Sequence, residues 1–110
     1  MTTHDIIKEI GLKLLSESEA REIDGVFVSD MISDVMAGAK SGNLWLTIQT
    51  HKSIIPAANL VDVSAIIITG NKEVPQETTD LATKYKIAIF STELPTFELT
   101  GKLYSLGLSS

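Results

Sequence analysis

The stretch Asn43–Leu60, NLWLTIQTHKSIIPAANL, decides the fold, because in it a short apolar strand runs through a polar corner into a helix. Apolar side chains point to both faces of the strand Leu44–Ile48, so both faces are expected to be covered, as in a parallel sheet between helices. Ser53 is the predicted helix cap. Pro56 then falls in the first turn of the helix, where its missing N–H costs no hydrogen bond.

The same strand-to-helix unit recurs along the chain, because strands are predicted to begin at Leu44, Ala65 and Ile87, spaced by 21 and 22 residues. Successive units of this length imply right-handed crossovers between parallel strands. Further short strands are expected at 12–14, 25–28 and, at an edge, 21–23. The sequence therefore predicts a three-layer α/β/α fold with a mostly parallel sheet of about five strands, in one domain over residues 1–110.

Composition excludes several classes of function. Nine basic against fourteen acidic residues give a net charge of -5 and a pI near 4.9, the wrong sign for binding nucleic acid or an anionic membrane. There is no cysteine, and His4 and His51 are the only histidines, so neither a metal site nor a bound cofactor is predicted. With no apolar run of membrane-spanning length and no signal-peptide pattern, the expected location is the cytoplasm.

Polar residues follow each predicted parallel strand, at Ser29-Asp30, Gln49–Lys52, Thr69–Asn71 and Ser91–Glu93. The carboxyl ends of parallel strands meet at one edge, where ligands commonly bind. We therefore expect a shared polar rim that binds a small polar or anionic ligand. The candidate ligand-binding residues are Asp30, Gln49, Thr50, His51, Lys52, Thr69, Asn71 and Thr92. The alternative is that these side chains only cap helices.

No catalytic motif accompanies these corners, so the chain is predicted not to be an enzyme. His51 beside Lys52 could act as an acid/base with an anion-binding group, but spacing places no particular serine beside it. The phosphate-loop and GxGxxG patterns are absent. Four large side chains are expected in the core or in a subunit contact: Trp45, Met31, Met36 and Tyr104.

Between Val26 and Leu106 the order of these elements resembles the DRTGG domain family, whose fold is similar to the N-terminal domain of HPr kinase/phosphorylase. The resemblance is carried by Ser29-Asp30 entering a helix, by Trp45–Gln49 with the Thr50-His51 corner, by the strand end Ile66–Gly70, and by Ile89–Thr92 followed by Thr96-Phe97. One departure is that the Asp-Arg pair of the family corner is replaced by His51-Lys52, which keeps the positive charge and loses the carboxylate.

The resemblance implies a non-catalytic regulatory module, often found beside CBS pairs or attached to phosphotransacetylase. Stand-alone versions, which share the Thr-His corner, are associated with iron-only hydrogenase systems. We therefore expect a homodimeric sensor or adaptor whose rim binds a small metabolite, a nucleotide or a protein of a hydrogenase system. Two alternatives stay open, a structural accessory subunit of a hydrogenase-type redox complex and a small enzyme that uses His51.

Overall fold

Five helices and five strands make up the chain in a computed structural model that describes residues 1–110. In chain order they are α1 Thr3–Ile10, β1 Lys13–Ser16, β2 Val26–Val28, α2 Ile32–Gly38, β3 Leu44–Thr47, α3 Ile54–Val61, β4 Ala65–Ile68, α4 Gln76–Lys84, β5 Ile89–Ser91 and α5 Thr96–Ser105. None of the helices has the length and apolar character needed to cross a membrane.

The strands form one sheet in the order β1-β5-β4-β3-β2. Strands β2 to β5 run parallel to one another, and β1 pairs antiparallel with β5, so that Lys13 lies opposite Ser91. The predicted mostly parallel, five-stranded α/β fold is confirmed.

Strand β4 lies at the centre of the sheet, and all four of its residues are fully buried. Ile66 and Ile68 pack with side chains of α2, α3 and α4, whereas Ala65 and Ile67 pack with those of α1 and α5. The uninterrupted β-branched run after Ala65 suits this position, because a strand covered on both faces needs apolar side chains in both directions.

The two helical layers follow from the crossovers. Each step from β2 to β5 moves to the neighbouring strand in the same direction, so right-handed crossovers place α2, α3 and α4 on one face. Helices α1 and α5 cover the other face. The chain therefore leaves β4 towards one face and leaves β5 towards the opposite face, which opens a crevice between the two strand ends.

Some local expectations were wrong. Residues 21–23 form no edge strand, and the only pairing there is an isolated bridge between Thr2 and Glu22. Ser53 precedes α3 but makes no capping hydrogen bond with its side chain. Trp45 is fully buried, whereas Met31, Met36 and Tyr104 expose 60%, 44% and 75% of their surface. These three residues lie outside the core, and a subunit contact remains the prediction for them.

At the amino-terminal end of the sheet, an ionic cluster holds the segment before β2 against the end of α3. Arg21 donates from Nη1 to Oδ1 of Asp62 at 2.9 Å and to the carbonyl of Val63 at 2.7 Å, and Ser41 donates to the same carboxylate. The hydrogen bonds from Ser41 and Arg21 lower the pKa of Asp62 below its ordinary value of 3.8. Asp62 also has a φ of 67°, in the left-handed region that Asn tolerates well.

We expect Ile67→Ala to lower the free energy of unfolding by about 2–5 kcal/mol, because it removes a fully buried side chain and leaves a cavity in the central strand. Leu60→Ala is the matched control, since Leu60 is 71% exposed and its truncation should change stability by less than about 0.5 kcal/mol. Chemical denaturation measures both, and equal effects would contradict the central position of β4.

We also expect Asp62→Asn to reduce the acid sensitivity of the protein. A carboxyl group whose pKa is lower in the folded state stabilises the fold above its unfolded pKa, and that stabilisation is lost as the pH falls through the folded pKa. The unfolding free energy of the wild type should therefore fall more steeply below pH 3.8 than that of the variant. Equal steepness in the wild type and the variant would contradict this role of Asp62.

Candidate functional site

The polar corners after β2, β3, β4 and β5 lie at the same edge of the sheet, because these four strands are parallel and adjacent. The candidate residues nevertheless fall into two groups. One group surrounds the ends of β2 and β3, and the other surrounds the ends of β4 and β5.

Asp30 links the first two strand ends. Its Oδ1 accepts hydrogen bonds from Oγ1 of Thr47 at 3.0 Å and from the backbone N–H of Ile48 at 2.9 Å. Thr47 in turn accepts a hydrogen bond from the N–H of Gln49 at 3.0 Å. Asp30 therefore does not cap α2. The cap-like contact belongs to Ser29, whose Oγ accepts from the N–H of Met31.

The corner Gln49–Lys52 is tied to α4 by its backbone. The hydroxyl of Thr78, which is buried, donates to the carbonyl of Thr50 at 2.7 Å. Gln49 and His51 remain exposed. The corner thus has a fixed backbone and presents free side chains to solvent.

His51 has a defined ring orientation. The backbone N–H of Ser53 donates to Nδ1 at 3.1 Å, and Oγ of Ser53 lies 2.9 Å from the same atom. A backbone N–H can only donate, so Nδ1 is an acceptor and the neutral ring carries its proton on Nε2. The imidazole therefore offers an N–H donor to its surroundings.

Lys52 pairs with a carboxylate. Its Nζ donates to Oε1 of Glu77 at 2.6 Å, and this hydrogen bond lowers the pKa of the Glu77 carboxyl. Together with residues of α4 the corner lines a cavity of about 460 Å³, which we call the helix groove. Its lining consists of His51, Lys52, Ser53, Pro56, Glu77, Asp80, Leu81 and Lys84. Two lysines face two carboxylates there, so the groove carries no net charge when His51 is neutral.

The ends of β4 and β5 are joined by their backbones. The N–H of Gly70 donates to the carbonyl of Leu94, and the N–H of Asn71 donates to that of Thr92, both at 2.9 Å. Thr69 is fully buried, and its hydroxyl lies 2.7 Å from that of Thr96. Asn71 is exposed and Thr92 half-buried, so these two candidates can reach a ligand directly, whereas Thr69 supports the loop.

Beside this junction lies a second cavity, of about 500 Å³, which we call the lysine cavity. Asn71 and Thr92 line it together with residues that the sequence reasoning did not select: Ile10, Gly11, Lys13, Lys72, Ser91, Glu93, Leu94 and Lys102. Lys72 was recognisable from its place next to Asn71. Lys13 was not, because only the antiparallel pairing of β1 with β5 brings it opposite Ser91.

Neither cavity contains an arrangement typical of catalysis. Nδ1 of His51 already accepts a hydrogen bond from Ser53. No carboxylate accepts a hydrogen bond from the ring, as the acid of a catalytic triad would do to orient it. No group of three or more His, Asp or Glu side chains is placed to hold a metal ion. The site offers hydrogen-bond donors and positive charge, which suit binding of a ligand.

We expect Asp30→Ala to destabilise the protein by about 1–2 kcal/mol, because it leaves the Thr47 hydroxyl and the Ile48 N–H without their acceptor. Asp34→Ala is the control, since its carboxylate makes only a long contact of 3.4 Å with Ser29. Thermal denaturation followed by circular dichroism distinguishes the two. An equal loss in both variants would mean that Asp30 does not hold the two strand ends together.

The fold is similar to that of a solved structure over nearly the whole chain. It is the crystal structure of the CBS and DRTGG domains of the regulatory region of Clostridium perfringens pyrophosphatase, complexed with the activator diadenosine tetraphosphate. It superposes with a TM-score of 0.77 at 18% identity, and the match covers 93% of this chain but only 45% of that one. No curated protein shows significant sequence similarity. The family model described as the DRTGG domain matches residues 5–106, and the chain therefore belongs to the DRTGG domain family.

Proposed function

We propose that this chain is a single non-catalytic regulatory domain that binds a small polar or anionic ligand at the carboxyl ends of its parallel strands. The observation that carries the proposal is the meeting of four polar corners at one edge of the sheet, where two open cavities adjoin them. A ligand bound there would contact loops from several strands at once. Its binding could therefore change how this edge is presented to a partner.

Membership of the DRTGG family supports a regulatory role. The matched domain of the Clostridium perfringens pyrophosphatase lies in a regulatory region, and that region was crystallised with a nucleotide activator. A nucleotide or other small metabolite is accordingly the ligand class that we propose for this chain.

The candidate residues divide by the part they would play. Gln49, His51, Asn71 and Thr92 have side-chain groups free to meet a ligand. Four others would hold the surrounding loops in place: Asp30, Thr50, Lys52 and Thr69, each of which is engaged with a protein partner.

A second candidate function is that of an adaptor or structural subunit in a hydrogenase-type redox complex. It is favoured by an exposed apolar face on α5, where Phe97 and Tyr104 are 83% and 75% exposed and lie two helical turns apart. Side chains of this kind are enriched at protein interfaces. A homodimer in the cytoplasm would use the same face, and in either case the protein would form a stable complex without needing a ligand.

A thermal-shift screen tests the regulatory proposal. Nucleotides, phosphorylated metabolites and organic acids are added singly, and a ligand at about 100 times its Kd should add about 2.7 kcal/mol to the stability of the folded state. We expect at least one compound to raise the melting temperature by several degrees. Co-purification from cells that carry the native protein, followed by mass spectrometry, runs in parallel.

The variant His51→Ala, in the helix groove, and the double variant Asn71→Ala/Thr92→Ala, in the lysine cavity, show which cavity holds the compound. If no compound raises the melting temperature and a partner co-purifies in constant stoichiometry, the regulatory proposal is wrong and the role of a structural subunit is supported.

A further inference from the structure

We infer that the lysine cavity binds an oligophosphate, a compact anion with two or more linked phosphate groups, either free or as part of a nucleotide. This inference rests on the proposed function and specifies which cavity holds the ligand and what chemistry the cavity recognises. It follows from the charge, the free donors and the position of the cavity in the fold.

Charge is the first argument. Lys13, Lys72 and Lys102 line the cavity, none of them pairs with a carboxylate, and Glu93 is the only acidic side chain in the lining. The formal balance of the lining is therefore +2 in a chain whose net charge is -5. One third of the nine basic residues converge on this cavity although the protein as a whole repels anions. The helix groove differs, because its lysines are balanced by carboxylates and Lys52 is already paired.

The carboxyl end of α1 lowers the positive potential of the cavity, because Ile10 and Gly11 also line it. The dipole of a helix places roughly half a negative elementary charge at its carboxyl end. That partial charge is smaller than the excess of two positive charges. The cavity thus remains electropositive.

Free hydrogen-bond donors are the second argument. The hydroxyl of Ser91 and the side-chain amide of Asn71 make no hydrogen bond within the protein. Thr92 accepts a hydrogen bond from the N–H of Leu94, so its own hydroxyl proton can be donated elsewhere. Phosphate oxygens accept hydrogen bonds from such groups, and the lysine ammonium groups bind them as point charges.

The position in the fold is the third argument. The crevice between β4 and β5 is where the chain turns to opposite faces of the sheet, and ligands of open parallel sheets bind at such points. The backbone hydrogen bonds from Gly70 and Asn71 join the loops that follow these two strands. Both residues have left-handed φ values, 81° and 56°, which glycine and asparagine adopt more readily than other residues. The loop geometry is thus held by the fold beside the cavity. A volume of about 500 Å³ is within the usual range for small-molecule sites.

Isothermal titration calorimetry with sodium tripolyphosphate tests the inference at about 150 mM salt. We expect Lys72→Gln/Lys102→Gln to weaken binding at least tenfold. The control Lys40→Gln/Lys86→Gln removes the same charge at the amino-terminal end of the sheet, opposite the cavity, and it should weaken binding by less than about threefold because charges beyond roughly 8 Å are screened. Circular dichroism and the melting temperature of each variant establish that it is folded.

ATP and diadenosine tetraphosphate are titrated alongside to identify the source of the phosphate groups. Equal affinity for tripolyphosphate and the nucleotides would support a free oligophosphate ligand, whereas affinity at least tenfold higher for a nucleotide would support recognition of the nucleoside as well. Both results require the loss in Lys72→Gln/Lys102→Gln.

Two results would overturn the inference. The first is that none of the three compounds binds the wild type, and the second is that both double variants lose affinity equally, since general electrostatic attraction would then explain the binding.

One further result would overturn this inference and still support the proposed function. A metabolite found by thermal shift, whose binding is lost in His51→Ala and unaffected by Lys72→Gln/Lys102→Gln, would leave the regulatory domain in place and move its ligand to the helix groove.

Discussion

The parallel pairing of β2 to β5 around the fully buried β4 is the constraint on which the rest of the molecule depends. Burial on both faces requires apolar side chains throughout β4, and parallel pairing requires a helical crossover after each strand. The crossovers then bring the carboxyl ends of these four strands to the same edge. A polar side chain inside such a strand needs a buried hydrogen-bond partner, as Thr47 has in Asp30, so most polar residues lie in the corners that follow the strands.

The two ends of the sheet differ in how completely their polar groups are satisfied. At the amino-terminal end, the side chain of Asn43 donates to the carbonyl of Asp24 and accepts from the N–H of Lys40, while Ser64 donates to the carbonyl of Asn43. Each of these side chains has a protein partner. At the carboxyl-terminal end, Ser91 and the lysines around it have none. Satisfied groups stabilise a fold, whereas unsatisfied donors near a cavity remain available to a ligand.

The architecture could be predicted from the sequence because it rests on local patterns. The strand-to-helix steps after Leu44 and Ala65, and the continuous β-branched run in β4, determined the class and the parallel pairing. The antiparallel addition of β1 could not be predicted, because a four-residue strand carries no signal for its partner. Since that pairing alone places Lys13 beside Ser91, the lysine cavity was not recognisable from the sequence.

The corner Gln49–Lys52 illustrates the limit of reasoning from residue types. His51 and Lys52 were selected because a proton carrier next to a cation suggests an anion site. Their role depends on α4, which is distant in sequence: it supplies Glu77 to Lys52 and Thr78 to the carbonyl of Thr50. An ammonium group already paired with a carboxylate attracts a further anion less strongly, because the two opposite charges largely cancel at a distance. The excess of positive charge therefore lies where the sheet brings three lysines together with a single carboxylate, at the ends of β4 and β5.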